Sequence, residues 1–220
     1  MKETIIRIRE DGNIILEELK DGITSFKPIS PDSLLKCLNQ SILRGGICSG
    51  LLPRNCLSFT SHDGGTREVV ILHPENRADI NYFGTEYKNF PIMRCVFGFN
   101  ISSEGRVSNC RLGVIADEKP RPTTSMFVYP FGNVNGFSLC IGNNPLPPVK
   151  SLHTMESLTY LLLSMPNNND HFNPNKNKLG LEQRELLEFM KNKSPEVYYS
   201  DILMSCESTL GDFIAGKYMQ

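Results

Sequence analysis

Cys140 is set apart from the other cysteines by its neighbours. It lies in the short apolar run Phe137-Ser138-Leu139-Cys140-Ile141, with carboxamide side chains on both sides: Asn133 and Asn135 before it, Asn143 and Asn144 after it. Gly132-Asn133 and Asn135-Gly136 are turn signals, and Pro145, Pro147 and Pro148 close the polar loop Gly142-Asn143-Asn144. A thiol at the edge of a tight, amide-rich loop has two readings. It is a small buried hydrophobe, or it is a presented nucleophile whose neighbours donate N–H groups to an oxyanion. Residue types leave both open. Asn133, Asn143 and Asn144 serve equally as loop formers or as such donors. Tyr129 is a packed aromatic or a hydroxyl that positions the loop. His153 is a capping or surface histidine, or a base.

The chain has seven cysteines: Cys37, Cys48, Cys56, Cys95, Cys110, Cys140 and Cys206. The count is odd and no CxxC pair occurs, so neither a disulfide framework nor a structural zinc site is expected, and no metal is assigned. A reducing cytoplasm suits this usage, with most cysteines acting as small hydrophobes. Cys95 and Cys110 fall in alternating apolar runs and are expected in the core. Cys48, inside the flexible Gly45-Gly46-Ile47-Cys48-Ser49-Gly50, is the second candidate nucleophile.

Other function classes are narrowed by bulk properties. A length of 220 residues allows one good core with appendages, and a net charge of -1 argues against a nucleic-acid binder driven by phosphate neutralisation. No apolar run reaches the length of a membrane span, and the charged start MKETIIRIRED has no signal-peptide core, so no membrane association is expected. GxGxxG and phosphate-loop motifs are absent, and with them the expectation of a nucleotide or other cofactor.

The elements that must hold the cysteine loop follow from periodicity. TIIRIR (4–9) and NIILEEL (13–19) flank Asp11-Gly12, a hairpin signal, and the run from Gly22 to Phe26 extends the ribbon. Ser30-Pro31-Asp32 opens a helix carrying Leu34, Leu35 and Leu38, which Gly45-Gly46 ends. Residues 50–66 read as loop. Strands are expected at Val69–Leu72, Ile80–Phe83, Met93–Ile101 and Arg106–Ile115, close enough to favour an antiparallel meander. Beyond the cysteine loop, Leu152, Met155, Leu158, Leu161 and Leu162 mark a helix over 151–165, and Leu186, Leu187 and Met190 mark another over 181–191. The asparagine-rich 167–178 between them reads as an exposed loop. The expectation is an α+β fold with three parts: an N-terminal β-hairpin extension over 1–30, a core over 31–165, and a C-terminal helical extension over 166–220 packed on the core.

This order and the stretch 126–148 together resemble the ubiquitin-conjugating-enzyme fold, and the motifs VFGFNISSEGRV, RLGVIADEKPRPTTSMFVYPFGNV, LCIGNN and YYSDIL narrow the likeness to one branch of it. Within it, the chain is similar to the prokaryotic family D and its PRTRC-system branch. The resemblance implies a four-stranded antiparallel meander flanked by helices, with Cys140 as the catalytic thiol. Tyr129-Pro130, Asn133-Val134, Gly136 and Leu139-Cys140 correspond to the wider signature, with Tyr129 where a histidine usually stands. The family instead carries a histidine after the cysteine, and His153 fits that position. On this resemblance Cys140 accepts a ubiquitin-like protein from a ThiF-like activating enzyme, as a thioester. A target-protein amine then takes the acyl group with His153 assisting, and Asn133, Asn143, Asn144 and Tyr129 support. A catalytically inactive adaptor of the same fold in a mobile-element (PRTRC) cassette is the alternative. A Cys140–His153 hydrolase dyad is a third reading, although no third orienting residue is evident.

Overall fold

The computed structural model describes residues 3–20, 22–43 and 48–217. The chain divides into two compact units, Met1–Cys48 and Ser49–Gln220. In the first, β1 (Glu3–Ile8), β2 (Ile14–Lys20) and β3 (Ile23–Ile29) form an antiparallel sheet in that order. Asp11-Gly12 makes the expected turn. The Asn13 N–H donates to Asp11 Oδ1 at 3.0 Å, and Gly12 takes the left-handed φ of 81° that a side chain would resist. Ser30 caps α1 (Pro31–Leu43), its Oγ accepting from the Ser33 N–H at 3.2 Å, and proline occupies the first turn. The expected stop at Gly45-Gly46 lies outside the described residues. Helix α1 belongs to the first unit, not to the core that the sequence reading had it open.

The second unit is mixed α+β and mostly antiparallel. Its strands are β4 (Cys56–Ser61), β5 (Arg67–His73), β6 (Asn76–Tyr82), β7 (Thr85–Ile92), β8 (Cys95–Ile101), β9 (Val107–Ile115) and β10 (Ser125–Phe127). The short β11 (Val134–Asn135) and β12 (Ser138–Leu139) complete the run up to the cysteine. Then come α2 (Glu156–Ser164), α3 (Gln183–Met190), β13 (Ser205–Thr209) and α4 (Leu210–Ala215). The main sheet runs β11-β12-β9-β8-β5-β4, with β10 and β13 joined at β9.

The structure departs from expectation here. The predicted strand at Ile80–Phe83 is not in the sheet. It forms a separate hairpin, β6–β7, and Cys56–Ser61, inside the stretch read as loop, supplies the edge strand instead. The edge strand is short and polar, and only Cys56, Leu57 and Phe59 pack on apolar neighbours, which leaves almost no periodic signal. On β9 the apolar positions Val107, Cys110, Leu112 and Val114 break strict alternation because the ladder shifts between Gly98 and Asn100. Asn109 takes a φ of 48° there, and the bulge turns Cys110 to the face that Val107 shares.

One sheet face carries Val69, Ile71, Cys95, Phe97, Phe99, Leu112 and Val114, packed in one core with Leu158, Leu162 and Leu163 of α2 and with Leu186, Leu187 and Met190 of α3. The other carries Val70, Val96 and Ile115 under Leu210 and Phe213. The predicted helix over 151–165 is a 3-10 turn, Leu152–Met155, followed by α2. Leu152, Met155, Leu158 and Leu162 of the predicted stripe are buried, while Leu161 is exposed and Leu163 is buried in its place. The segment after residue 165 packs on the core and also takes part in the sheet. It gives the sheet β13, paired with β10, and buries Tyr198, Ile202 and Leu203 in the main core. Among the described residues no helix is long and apolar enough to cross a membrane.

Candidate functional site

The cysteine reaches its position through a small hairpin anchored on the sheet edge. Val134 pairs with Leu139 and Asn135 with Ser138, while Ser138 pairs with Arg111 of β9. The Leu112 N–H donates to the Phe137 carbonyl at 2.8 Å. Phe137, at the tip, is buried edge-on against Phe213 with ring centroids 5.2 Å apart. An apolar plug thus fixes the tip, and the polar end of the hairpin stays in solvent. Cys140 follows directly on β12. Its N–H donates to the Asn133 carbonyl at 2.7 Å and its side chain is exposed. Ile141 to Asn144 then turn the chain away, with Gly142 at a φ of 59°.

Residues 166–183 form the opposite wall. The Asn133 N–H donates to the Asp170 carbonyl at 2.6 Å, and Lys176 Nζ donates to the Val134 carbonyl at 2.5 Å. Half burial of Lys176 lowers its pKa below the usual lysine range. The Gly132 N–H donates to Gln183 Oε1 at 3.1 Å. Gly132 is required by closeness: a Cβ built there would lie 2.2 Å from the Asn168 carbonyl and 2.8 Å from Gln183 Oε1. The β6–β7 hairpin props this wall from behind. Asn167 donates its N–H to the Asn81 carbonyl at 2.8 Å and accepts from the Phe83 N–H at 3.1 Å, and the Tyr82 hydroxyl donates to Asn169 Oδ1 at 2.7 Å. Between the walls is a cleft of about 120 Å³, and Cys140, Asn133, Asn144, Asn168 and Asp170 are among its lining residues.

Only some of the predicted site residues meet here. Asn133 lines the cleft and holds a left-handed φ of 63°, its Nδ2 3.4 Å from the Pro166 carbonyl. Asn144 lines it too, but its Nδ2 donates to the Ile141 carbonyl at 2.8 Å, which commits one of its two amide hydrogens to the turn. Asn143 is exposed and lines neither of the cavities that Cys140 lines. Tyr129 is buried in the core, edge-on to Phe131 at 5.7 Å, and burial pushes its hydroxyl pKa well up. It touches the thiol's surroundings only through an internal void of about 20 Å³, so it packs and does not reach the cleft. His153 lies in the 3-10 turn before α2, exposed, with Nδ1 hydrogen-bonded to Ser151 Oγ at 2.8 Å. It too lines neither cavity at Cys140.

The other thiols have different settings. Burial pushes the Cys110 pKa up to about 11 and the Cys95 pKa higher still, so both are inert core groups, as expected. Cys48 is exposed, as is Cys37, but the glycine pair and Ile47 before Cys48 lie outside the described residues. Among the described residues no group of three His, Cys, Asp or Glu side chains could hold a metal ion. A wider groove, about 750 Å³ with Asp117, Glu118, Lys119 and Arg121 in its wall, contains no thiol. Asp117 there accepts from the Thr124 hydroxyl at 2.7 Å, as a turn residue.

Sequence reasoning missed Asn168, Asp170 and Gln183. The run Asn167-Asn168-Asn169-Asp170 has the same amide-rich composition that drew attention to the cysteine loop, and that was the available signal. Compared with known proteins, the chain matches no family model, no curated protein and no solved structure.

Proposed function

We propose that this chain carries a ubiquitin-like protein as a thioester on Cys140, receiving it from a ThiF-like activating enzyme and passing it to a target amine. One observation carries the reading: an exposed thiol stands at the lip of a cleft lined by carboxamides, on a hairpin hydrogen-bonded to the sheet edge. The α+β order also supports a ubiquitin-conjugating-like fold of the prokaryotic family D, with an antiparallel sheet, then the thiol segment, then helices. In the first step the Cys140 thiolate attacks the carbonyl carbon of the activating enzyme's thioester. The new S–C bond forms as the old one breaks, and the activating enzyme's thiol is released. The side-chain amides of Asn133 and Asn144, both in the cleft wall, are the donors that could face the oxyanion. Thiol chemistry of this kind belongs in a reducing cytoplasm.

Incubation with activating enzyme, ATP and modifier is expected to give an adduct that excess thiol removes, and Cys140→Ala is expected to abolish it. A thiol-labile adduct that survives Cys140→Ser would end the assignment to Cys140. The position of His153 outside the cleft favours the second reading, a non-catalytic adaptor of the same fold in a mobile-element cassette. That reading predicts a Cys140 thiol that accepts no modifier, although its exposure leaves it open to maleimide.

A further inference from the structure

Most outer strands are guarded against pairing with another chain. β3 carries Lys27 and Pro28, and a proline has no N–H to offer a further strand. The ladder of β4 shifts between Cys56 and Ser58, that of the β6–β7 hairpin between Ala78 and Ile80, and that of β13 opposite Ser125 and Phe127. β11 is only two residues long. β1 has none of these features. It is an outer strand of the first unit and contains no proline, and its register with β2 runs unbroken from Glu3 opposite Leu19 to Ile8 opposite Ile14. Among the described residues no strand pairs with its open side. The unit around it is also short of a core. Of its described side chains only Ile14 is buried, while Ile8 is 69% and Phe26 64% exposed. A small three-stranded sheet with so little buried gains from further strands.

We propose that β1 pairs with β1 of a second copy of this chain, antiparallel about a two-fold axis at Ile5, so that two three-stranded sheets continue as one of six strands. The strand sequence selects both occupant and register. Turned end to end about Ile5, Glu3-Thr4-Ile5-Ile6-Arg7 sets Ile5 across from itself. It also sets position 3, an acidic residue, across from position 7, a basic one, twice over. Centred on Ile6, the strand puts Arg7 opposite Ile5. Centred between Ile5 and Ile6, it puts Arg7 opposite Thr4. Neither alternative pairs the charges. Ile5 lies opposite Glu17 in the ladder, so positions 5, 7 and 17 share one face, where Arg7 Nε donates to Glu17 at 2.7 Å. The junction therefore alternates in charge: Glu17, Arg7, then position 3 of the other copy. Two identical antiparallel strands close on themselves, and the guarded β3 edges stop growth at a dimer. This pairing stands apart from the thioester reading.

The test follows association of the full chain by sedimentation velocity over a concentration series. The wild type is expected to pass from monomer to dimer and no further. Glu3→Arg and Arg7→Glu each place like charges across the junction, twice per dimer, and each alone is expected to weaken dimerisation about tenfold or more. The exposed Arg7–Glu17 pair that Arg7→Glu removes contributes little to folding. An equal mixture of the two variants restores opposite charges at both ends of the junction, and a heterodimer of near wild-type affinity is expected. A wild type that stays monomeric, or that grows beyond a dimer, overturns the inference. So does either variant dimerising as well as the wild type. Two variants that stay apart when mixed overturn it as well, since the substitutions would then have damaged the unit and not its edge.

Discussion

Asn133 joins a backbone task and a side-chain task at one residue. Its main chain accepts from Cys140 and donates to Asp170, which needs the left-handed φ of 63°, while its Nδ2 faces the Pro166 carbonyl beside the cleft. Asparagine tolerates that backbone region better than most residues, and glycine better still. Substitution can therefore split the two tasks. Asn133→Gly is expected to leave the unfolding midpoint within about 0.5 kcal/mol of wild type while slowing thioester transfer, since only the amide donor is lost. Asn133→Ala keeps the Cβ in this backbone region but loses the carboxamide that makes it tolerable, and is expected to cost about 1 kcal/mol. Chemical denaturation together with a transfer assay tells these apart, and an Asn133→Gly variant of undiminished transfer rate would make the side chain a turn former only.

At the scale of elements, the cleft is bounded where the asparagine-rich loop closes on the segment leading into the cysteine hairpin, at Gly132, with no room there for a side chain. Gly132→Ala drives a methyl group against the Asn168 carbonyl and Gln183 Oε1. It is expected to cost about 1–3 kcal/mol, as overpacking does, and to raise hydrogen exchange at the Asn133 amide, whose acceptor is on the displaced loop. An unchanged melting temperature would mean that the loop yields freely. This contact also marks the limit of what the sequence could reveal. The strands β5 and β8 were legible because each buries an apolar run, β9 because its apolar positions recur at close spacing, and Leu186, Leu187 and Met190 because they repeat at helical spacing. The wall of the cleft buries little and is held by main-chain carbonyls, which leave no mark on residue choice apart from glycine. Cys140 and Asn133 were legible in the site. Asp170 was not, because a polar loop far along the chain has no periodicity to say where it folds back. Gly132 was seen as a turn residue, and its real constraint, the approach of another segment, could not be read locally.

For the molecule as a whole, the most revealing titratable group is far from the thiol in sequence and deep in the core. His73, at the end of β5, is 1% exposed and contacts Thr159 of α2 through Nδ1 at 2.9 Å. The Thr159 hydroxyl spends its hydrogen on the Glu156 carbonyl at 2.8 Å, so it accepts from His73, which places the imidazole proton on Nδ1. Burial lowers the His73 pKa below its ordinary 6.5, and Asn76 beside it offsets only part of this. The folded chain therefore binds this proton less readily than the unfolded chain. Stability is complete above about pH 6.5 and falls as the pH drops below it. Denaturation midpoints between pH 7.5 and 5 are expected to fall for the wild type and to lie on a flatter curve for His73→Gln, which is also expected to lose about 1 kcal/mol at neutral pH with the Thr159 bond. A parallel pair of curves would assign the acid sensitivity elsewhere.

The walls of the cleft meet chiefly through main-chain atoms: Asn133 to Asp170, Cys140 to Asn133, and Asn167 to Asn81 and Phe83. A frame of that kind is indifferent to most of the side chains it displays. The exposed side chain at position 140 can be exchanged with little disturbance to the fold, so the chemistry proposed for it can drift faster than the architecture. A descendant of this chain could lose its thiol and still present the same cavity to a partner. Resemblance of shape would outlast resemblance of chemistry, and the fold of such a relative would be a poor witness to what it does.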